Sequence, residues 1–312
     1  MNPILTLKNG YCMRLANGHG WYITATEESR TWVDRLANIM ELETCEVSEY
    51  PKLIFVRGNS SKNHAEETLC NDALSIKQFS MNGWELHDLG ATRFWIHHDV
   101  PDVICEIGYK KDCKYDCDYE YDIVKMLQSL YPIYQRELNS GGLPLHAGLI
   151  ERKDKGILLA APGGTGKSTC CRRIPPPWHP LCDDETLIVF DGMGQYIVHP
   201  FPTWSERIQK RSERTWDIQQ HIPLSAIFFL EQAKNDEVIS IGQGQAAILI
   251  NQMANQVCYR NWKNLDLEKQ ALFRKELFSN SCELAKKIPA FILRVSLSGQ
   301  FWEEIESVLI MS

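Results

Sequence analysis

Apolar positions along the chain fall into short runs and stripes, not long blocks. In the first third, Ile4–Leu7, Tyr11–Ala16 and Trp21–Ala25 read as strands, with the turn Asn17-Gly18-His19-Gly20 between the last two. Trp32, Leu36, Ile39 and Met40 recur near one helical face, which predicts a helix over Glu28–Glu41. Leu53–Arg57 reads as a strand, and Trp84–Leu89, Arg93–His97 and Val103–Tyr109 follow as three more. Ile123, Leu127, Leu130 and Tyr134 stripe a helix running from about Tyr119 to Leu138. Asn139-Ser140-Gly141-Gly142 ends it. These elements predict an N-terminal α+β domain over residues 1–140, and no motif in it converts into chemistry.

The pattern changes at Leu143. Pro144–Ile150 is a strand candidate, Lys153-Asp154-Lys155 a polar turn, and Gly156–Ala160 a short apolar run of the kind buried on both faces. Thr186–Phe190 and Ala226–Gln232 are further apolar strands. Gln245–Val257 and Asp266–Lys287 are helix-like and amphipathic enough to cover a sheet. Strands interleaved with helices predict an α/β domain over residues 141–312.

Composition narrows the classes. Of 312 residues, 44% are apolar and 23% charged, which excludes a disordered, collagenous or coiled-coil chain. A formal net charge of −7 gives no electrostatic case for a nucleic-acid partner. Residues 1–10 lack a basic n-region, and the longest apolar runs fall far short of the ~20 residues of a membrane span. The expectation is a cytoplasmic protein without a membrane partner. The 11 cysteines, an odd number, predict reduced thiols that pack as small apolar side chains. Asp112-Cys113-Lys114-Tyr115-Asp116-Cys117-Asp118, with Cys105 and His97-His98 upstream, could hold zinc. No second cysteine pair with zinc-finger spacing follows, so an ordinary acidic loop is the stronger reading.

The most informative segment is Ala161-Pro162-Gly163-Gly164-Thr165-Gly166-Lys167-Ser168, with Thr169 next. It fits the Walker A pattern with Ala161 at the first glycine position. Its glycines let the backbone curl and aim successive N–H groups inward as an anion nest. The following helix, Ser168–Ile174, adds its N-terminal N–H groups and dipole. Lys167 can bridge phosphate oxygens and Ser168 can bind Mg²⁺. Pro175-Pro176-Pro177 stops that helix.

Phosphoryl transfer also needs another metal ligand and a proton acceptor. Asp183-Asp184-Glu185 lies shortly after the loop and just before the strand at Thr186. Two adjacent carboxylates beside Mg²⁺ can divide those roles. A paired Asp in a turn is also an ordinary cap or turn residue.

From His146 to Asp184 the chain resembles the C-terminal catalytic domain of HPr serine kinase/phosphorylase. It is more similar still to the HPr-kinase-related proteins of peptide-modification gene clusters, the C proteins of the SynChlorMet cassettes among them. The shared features are Leu145-His146-Ala147-Gly148 ahead of the loop, a compact loop with a two-turn helix, and an Asp pair about fifteen residues past Ser168. His199–Ser205, Ala226–Gln232 and Ile288–Trp302 resemble later pieces of the same proteins, so the resemblance runs from about Gly141 to the C-terminus.

It implies a P-loop domain of the HPr-kinase and phosphoenolpyruvate-carboxykinase type with a mixed sheet, preceded by the smaller α+β domain. It implies ATP and Mg²⁺ as cofactors and a Ser/Thr hydroxyl of a peptide or small protein as acceptor, a ribosomally made precursor peptide among the candidates. Radical enzymes of such clusters would be partners, and a homo-oligomer is compatible. Asp183 or Asp184 would be the general base, the other holding Mg²⁺ with Ser168; of the two, Asp184 is the expected metal ligand. His146 would orient the Asp, where the sequence alone suggests a core histidine. Glu185 would be a further ligand or merely start its strand. Glu206–Arg214 is the most basic stretch and reads as a helix. Arg207 and Lys210 are its candidates for transition-state charge, beside Trp204 and Ser205 at the acceptor, although a solvated helix face and a core tryptophan are the plain alternatives. A nucleotide-binding partner protein without transfer, or an ATPase switch, is the competing function.

Overall fold

The computed structural model describes residues 10–46, 48–58, 83–108, 117–210, 212 and 214–309. The strand expected at Ile4–Leu7 and Cys113 of the acidic loop lie outside these residues, as do the side chains of Cys117 and Asp118.

The first sheet has seven strands. β1 (Gly10–Arg14) and β2 (Gly20–Ala25) form the expected hairpin. Helix α1 (Arg30–Ile39) follows, then β3 (Glu43–Cys45), β4 (Lys52–Arg57), β5 (Trp84–Asp88), β6 (Thr92–His97) and β7 (Val103–Ile107). The order is β3-β1-β2-β4-β7-β6-β5, with β2, β4 and β7 parallel and the other pairs antiparallel. α1 buries Val33, Leu36, Ala37 and Ile39, with Met40 buried just after it and Trp32 packed against the same core, so the stripe read in the sequence is the buried face.

The single helix expected over 119–138 is two: α2 (Cys117–Ser129) and α3 (Tyr131–Asn139). Pro132 sits in the first turn of α3. It has no N–H to continue the ladder of α2, and a helix start is where a proline costs least.

The second sheet has nine strands: β8 (Leu143–Leu145), β9 (Ala147–Arg152), β10 (Lys155–Ala160), β11 (His179–Cys182), β12 (Glu185–Phe190), β13 (Tyr196–Phe201), β14 (Ile222–Gln232), β15 (Glu237–Ser240) and β16 (Ala290–Val295). The main path is β11-β9-β10-β14-β13-β12-β8, and β16 joins the later part of β14 and carries β15. β10 and β16 run parallel to β14 while most other pairs are antiparallel, so this sheet too is mixed. Helices α4 (Lys167–Arg173), α5 (Trp204–Ile208), α6 (Gln243–Trp262), α7 (Leu267–Lys287) and α8 (Phe301–Leu309) complete the described chain. Asp266 caps α7, its side chain accepting from the Lys269 N–H at 2.9 Å.

Strand β10 shows why Gly156–Ala160 reads as continuously apolar. Ile157 and Leu159 enter a cluster with Cys171, Trp178, Phe228 and Phe301, on the face that α4 and α8 cover. Leu158 and Ala160 point the other way, into a larger core. That core runs without a break from Phe55 and Phe94 of the first sheet through Tyr131 and Tyr134 to Leu145, Val189 and Phe201 of the second. The boundary read at 140/141 falls in the loop between α3 and β8, and apolar packing crosses it. His199 on β13 ties the halves further. Its Nε2 accepts from the Ala16 N–H at 3.0 Å, so Nδ1 donates to the Ile218 carbonyl at 2.8 Å.

The cysteine expectation needs one correction. Cys12 and Cys45 form a disulfide across the antiparallel pair β1 and β3. Cys105, Cys170, Cys171, Cys182 and Cys258 are free and buried, in keeping with small apolar packing. Cys105 points into the core on β7, so it does not join His97 and His98. No helix among the described residues is long and apolar enough to cross a membrane.

Candidate functional site

The chain changes partners at His146. The strand expected over 144–150 is two strands: β8 pairs with β12 in one arm of the sheet, and β9 pairs with β10 and β11 in the other. His146 is the unpaired residue between them, so its ring leaves the sheet at the point where the arms divide. Asp183 and Asp184 occupy the matching gap between β11 and β12. Both gaps open beside the loop that joins β10 to α4.

In that loop Gly164 has φ +80° and Gly166 φ +118°, backbone conformations that side chains disfavour. A Cβ built on Gly163, Gly164 or Gly166 would meet nothing within 4 Å, so the curl leaves an open, backbone-lined cradle, and phosphate fits such a cradle. Ala161 is fully buried with ordinary negative φ, so the first position of the motif requires no glycine here. Lys167 is 5% exposed, and its Nζ donates to the Ala161 carbonyl at 2.9 Å. Burial lowers its pKa from the ordinary lysine value, against the opposing pull of Asp184, Cys171 and Asp183.

Asp184 is the hub. Its Oδ1 lies 3.0 Å from His146 Nε2 and 4.0 Å from Lys167 Nζ. Its Oδ2 accepts from the Ser205 hydroxyl at 2.9 Å. Burial works to raise its pKa, but the His146 hydrogen bond and charge, Lys167 and Ser205 outweigh burial and hold it below the ordinary aspartate value. An ionised carboxylate only accepts, so Nε2 of His146 carries a proton toward it. On the other side of the ring, Nδ1 lies 2.7 Å from Gln256 Oε1 on α6. Asp183 is engaged differently. Its Oδ1 accepts from the Thr203 hydroxyl at 2.5 Å, and Thr203 accepts in turn from Trp216 Nε1 at 3.1 Å.

His146, Asp184, Ser205 and Gln256 face a cleft of about 530 Å³. Its lining brings together Gly163 of the loop, His146, Asp184 and Ser205, and Gln256, Tyr259 and Arg260 of α6. Trp204 is 2% exposed, filling core and reaching the cleft at once.

The basic stretch departs from its expected form. The helix ends at Ile208, and Lys210 has φ +53°. Arg207 is buried and donates to the Arg214 carbonyl at 2.7 Å. Lys210 lies over the Tyr119 ring, 5.3 Å from its centroid. Neither lines the cleft, whereas Arg260, which no sequence motif marks, does. Gln256 and Trp216 also escape a reading by motif, and Thr203 is read only as part of the stretch His199–Ser205, with no role of its own. They lie on separate elements, and only the fold unites them.

Glu185 starts β12, fully buried, and accepts a hydrogen bond from the Tyr134 hydroxyl. Burial pushes its carboxyl up to about 8, the Asp184 charge adding to this while the Tyr134 hydrogen bond and Arg260 oppose it. This raised value sets a pH dependence. Between the ordinary 4.5 and about 8 the folded chain keeps a proton that the unfolded chain releases. Its contribution to stability is therefore full below that window and falls as pH rises through it. Glu185→Gln, which keeps an acceptor for Tyr134, is expected to remove this component. Denaturation midpoints at about pH 5 and about pH 9 check it: wild type should lose stability relative to the variant as pH rises, and parallel profiles would contradict the assignment.

A comparison with curated proteins found no match. A family model described as SynChlorMet cassette protein ScmC matches residues 103–310 of the 312. The match opens at the first residue of β7 and takes in every residue of the site just described, His146, Lys167, Asp183, Asp184, Ser205 and Gln256 included.

Proposed function

The chain belongs to the SynChlorMet cassette protein ScmC family, and on that premise we propose that it is a Mg²⁺-dependent kinase of the HPr-kinase type. It transfers the γ-phosphoryl group of ATP to a Ser or Thr hydroxyl of a peptide or small protein, the precursor peptide of a peptide-modification cassette being the natural candidate. The observation that carries this reading is one carboxylate, Asp184, held between the loop lysine Lys167, a histidine and a serine hydroxyl in the lining of an open cleft.

In this reading the loop from Ala161 to Thr169 cradles the phosphates with its backbone N–H groups, and Lys167 swings from the Ala161 carbonyl to meet them. The acceptor hydroxyl enters the cleft and takes the place of Ser205 at Asp184 Oδ2. Asp184 removes its proton; His146, braced by Gln256, fixes the carboxylate. Ser168 and Asp183 would hold Mg²⁺, which when bound neutralises phosphate charge. This moves the metal role from Asp184 to Asp183, because Asp184 is the carboxylate that faces the cleft. Arg260 lies where developing charge can be met from the acceptor side, and radical enzymes of such a cassette are the expected partners.

A second reading, nucleotide binding without transfer, draws on Arg207 being directed to a backbone carbonyl and not to the cleft. ADP release separates the readings. With Mg²⁺-ATP and a pool of Ser/Thr peptides, the kinase releases ADP in proportion to phosphopeptide. Phosphate release that ignores peptide indicates an ATPase switch. Tight ATP binding with no ADP in either condition indicates a binding partner and overturns the kinase reading.

A further inference from the structure

Ser205 stands where an acceptor hydroxyl must stand. It is exposed on the wall of the cleft, in the first turn of α5, with its hydroxyl on Asp184 Oδ2 at 2.9 Å. The other oxygen of the same carboxylate lies 4.0 Å from Lys167 Nζ. The hydroxyl and the phosphate-binding lysine are thus separated by the width of one carboxylate, and both Ser205 and Gly163 of the loop line one cleft. Two features fix the serine there. Thr203, which precedes α5, is pinned between Asp183 and the Trp216 indole. Trp204 is packed in the core. The segment therefore presents Ser205 from a rigid base, the arrangement that turns a nearby group into a reactant at high effective concentration.

We propose that Ser205 is itself a phosphorylation site, modified by its own chain when a nucleoside triphosphate fills the loop and no external acceptor fills the cleft. This rests on the transfer reading above. The Ser205 Oγ–Pγ bond forms as the bond from Pγ to the β–γ bridging oxygen breaks. The hydroxyl proton passes to Asp184, and the nucleoside diphosphate leaves. The resulting phosphoserine occupies the acceptor's position and places its charge against Asp184, so the modified chain is closed to other acceptors until the phosphate is removed.

The experiment incubates the full chain with Mg²⁺-ATP alone. Intact mass, peptide mapping and the phosphorus resonance of the product are read, and nucleotide affinity is measured separately with a non-hydrolysable ATP analogue. The expected result is one phosphate per chain, located on Ser205. Ser205→Ala and Asp184→Asn should each lower it at least tenfold while still binding the analogue, and Ser205→Thr should retain it. Phosphate on any other residue overturns the proposal. So does an unmodified protein that transfers phosphate to the peptide pool, an outcome that leaves the kinase reading standing. A chain that binds no nucleotide overturns both.

Discussion

Asp184→Asn is expected to lower phosphoryl transfer by about 10²–10⁴-fold, the usual worth of a positioned general base, with fold and ATP binding retained. The amide has the same volume and fits the same slot, 15% exposed between His146 and Ser205. It can still accept a hydrogen bond from His146, but it cannot take a proton from the acceptor. The loss should therefore fall on kcat at saturating ATP and leave the Kd of the nucleotide near its wild-type value. Asp183→Asn should behave differently. Its carboxylate is tied to Thr203 and faces away from the acceptor in this account, so the variant should chiefly raise the Mg²⁺ concentration needed for half-maximal rate. Mg²⁺ titrations of the two variants check the division of labour. An active Asp184→Asn beside an inactive Asp183→Asn would reverse it.

Lys167→Met should cut affinity for the ATP analogue by about 10- to 100-fold, the magnitude of one lost charge-assisted hydrogen bond. The substitution is chosen because the lysine stem is buried. A methionine of similar length fills the same space and removes an ammonium whose desolvation is already unfavourable, so thermal unfolding should shift little. Within the chain it forfeits the hydrogen bond to the Ala161 carbonyl. Calorimetric titration measures the affinity, and binding equal to wild type would show that the loop is not a phosphate cradle.

Geometry that depends on consecutive residues was legible in the sequence. The glycine-rich loop is one local turn, with Gly164 and Gly166 at positive φ, and the apolar run before it is a strand buried on two faces. The Asp pair could be placed because it abuts another apolar strand. What escaped depends on distant contacts. The pattern Pro144–Ile150 is apolar but for His146 and reads as one strand, so its spacing does not show that the chain changes sheet arms there, yet that break frees the ring for Asp184. Gln256 braces the same ring from 110 positions away, a pairing no periodicity records. Arg207 reads as a charge on a solvated helix, but the helix stops at Ile208 and the guanidinium turns inward to cap a carbonyl. Pro132, by contrast, was a visible signal: it divides a stripe that apolar spacing alone runs together. The Cys12–Cys45 pair depends on β3 lying beside β1, a register that the short, exposed β3 does not announce.

The most direct measurement is a single-turnover reaction of the chain with Mg²⁺ and γ-labelled ATP in the presence of a candidate precursor peptide of a peptide-modification cassette. The account predicts label on a Ser or Thr of that peptide, formed together with ADP and absent with Asp184→Asn. ATP held by the chain with no label reaching the peptide, a peptide pool or the protein itself would contradict it.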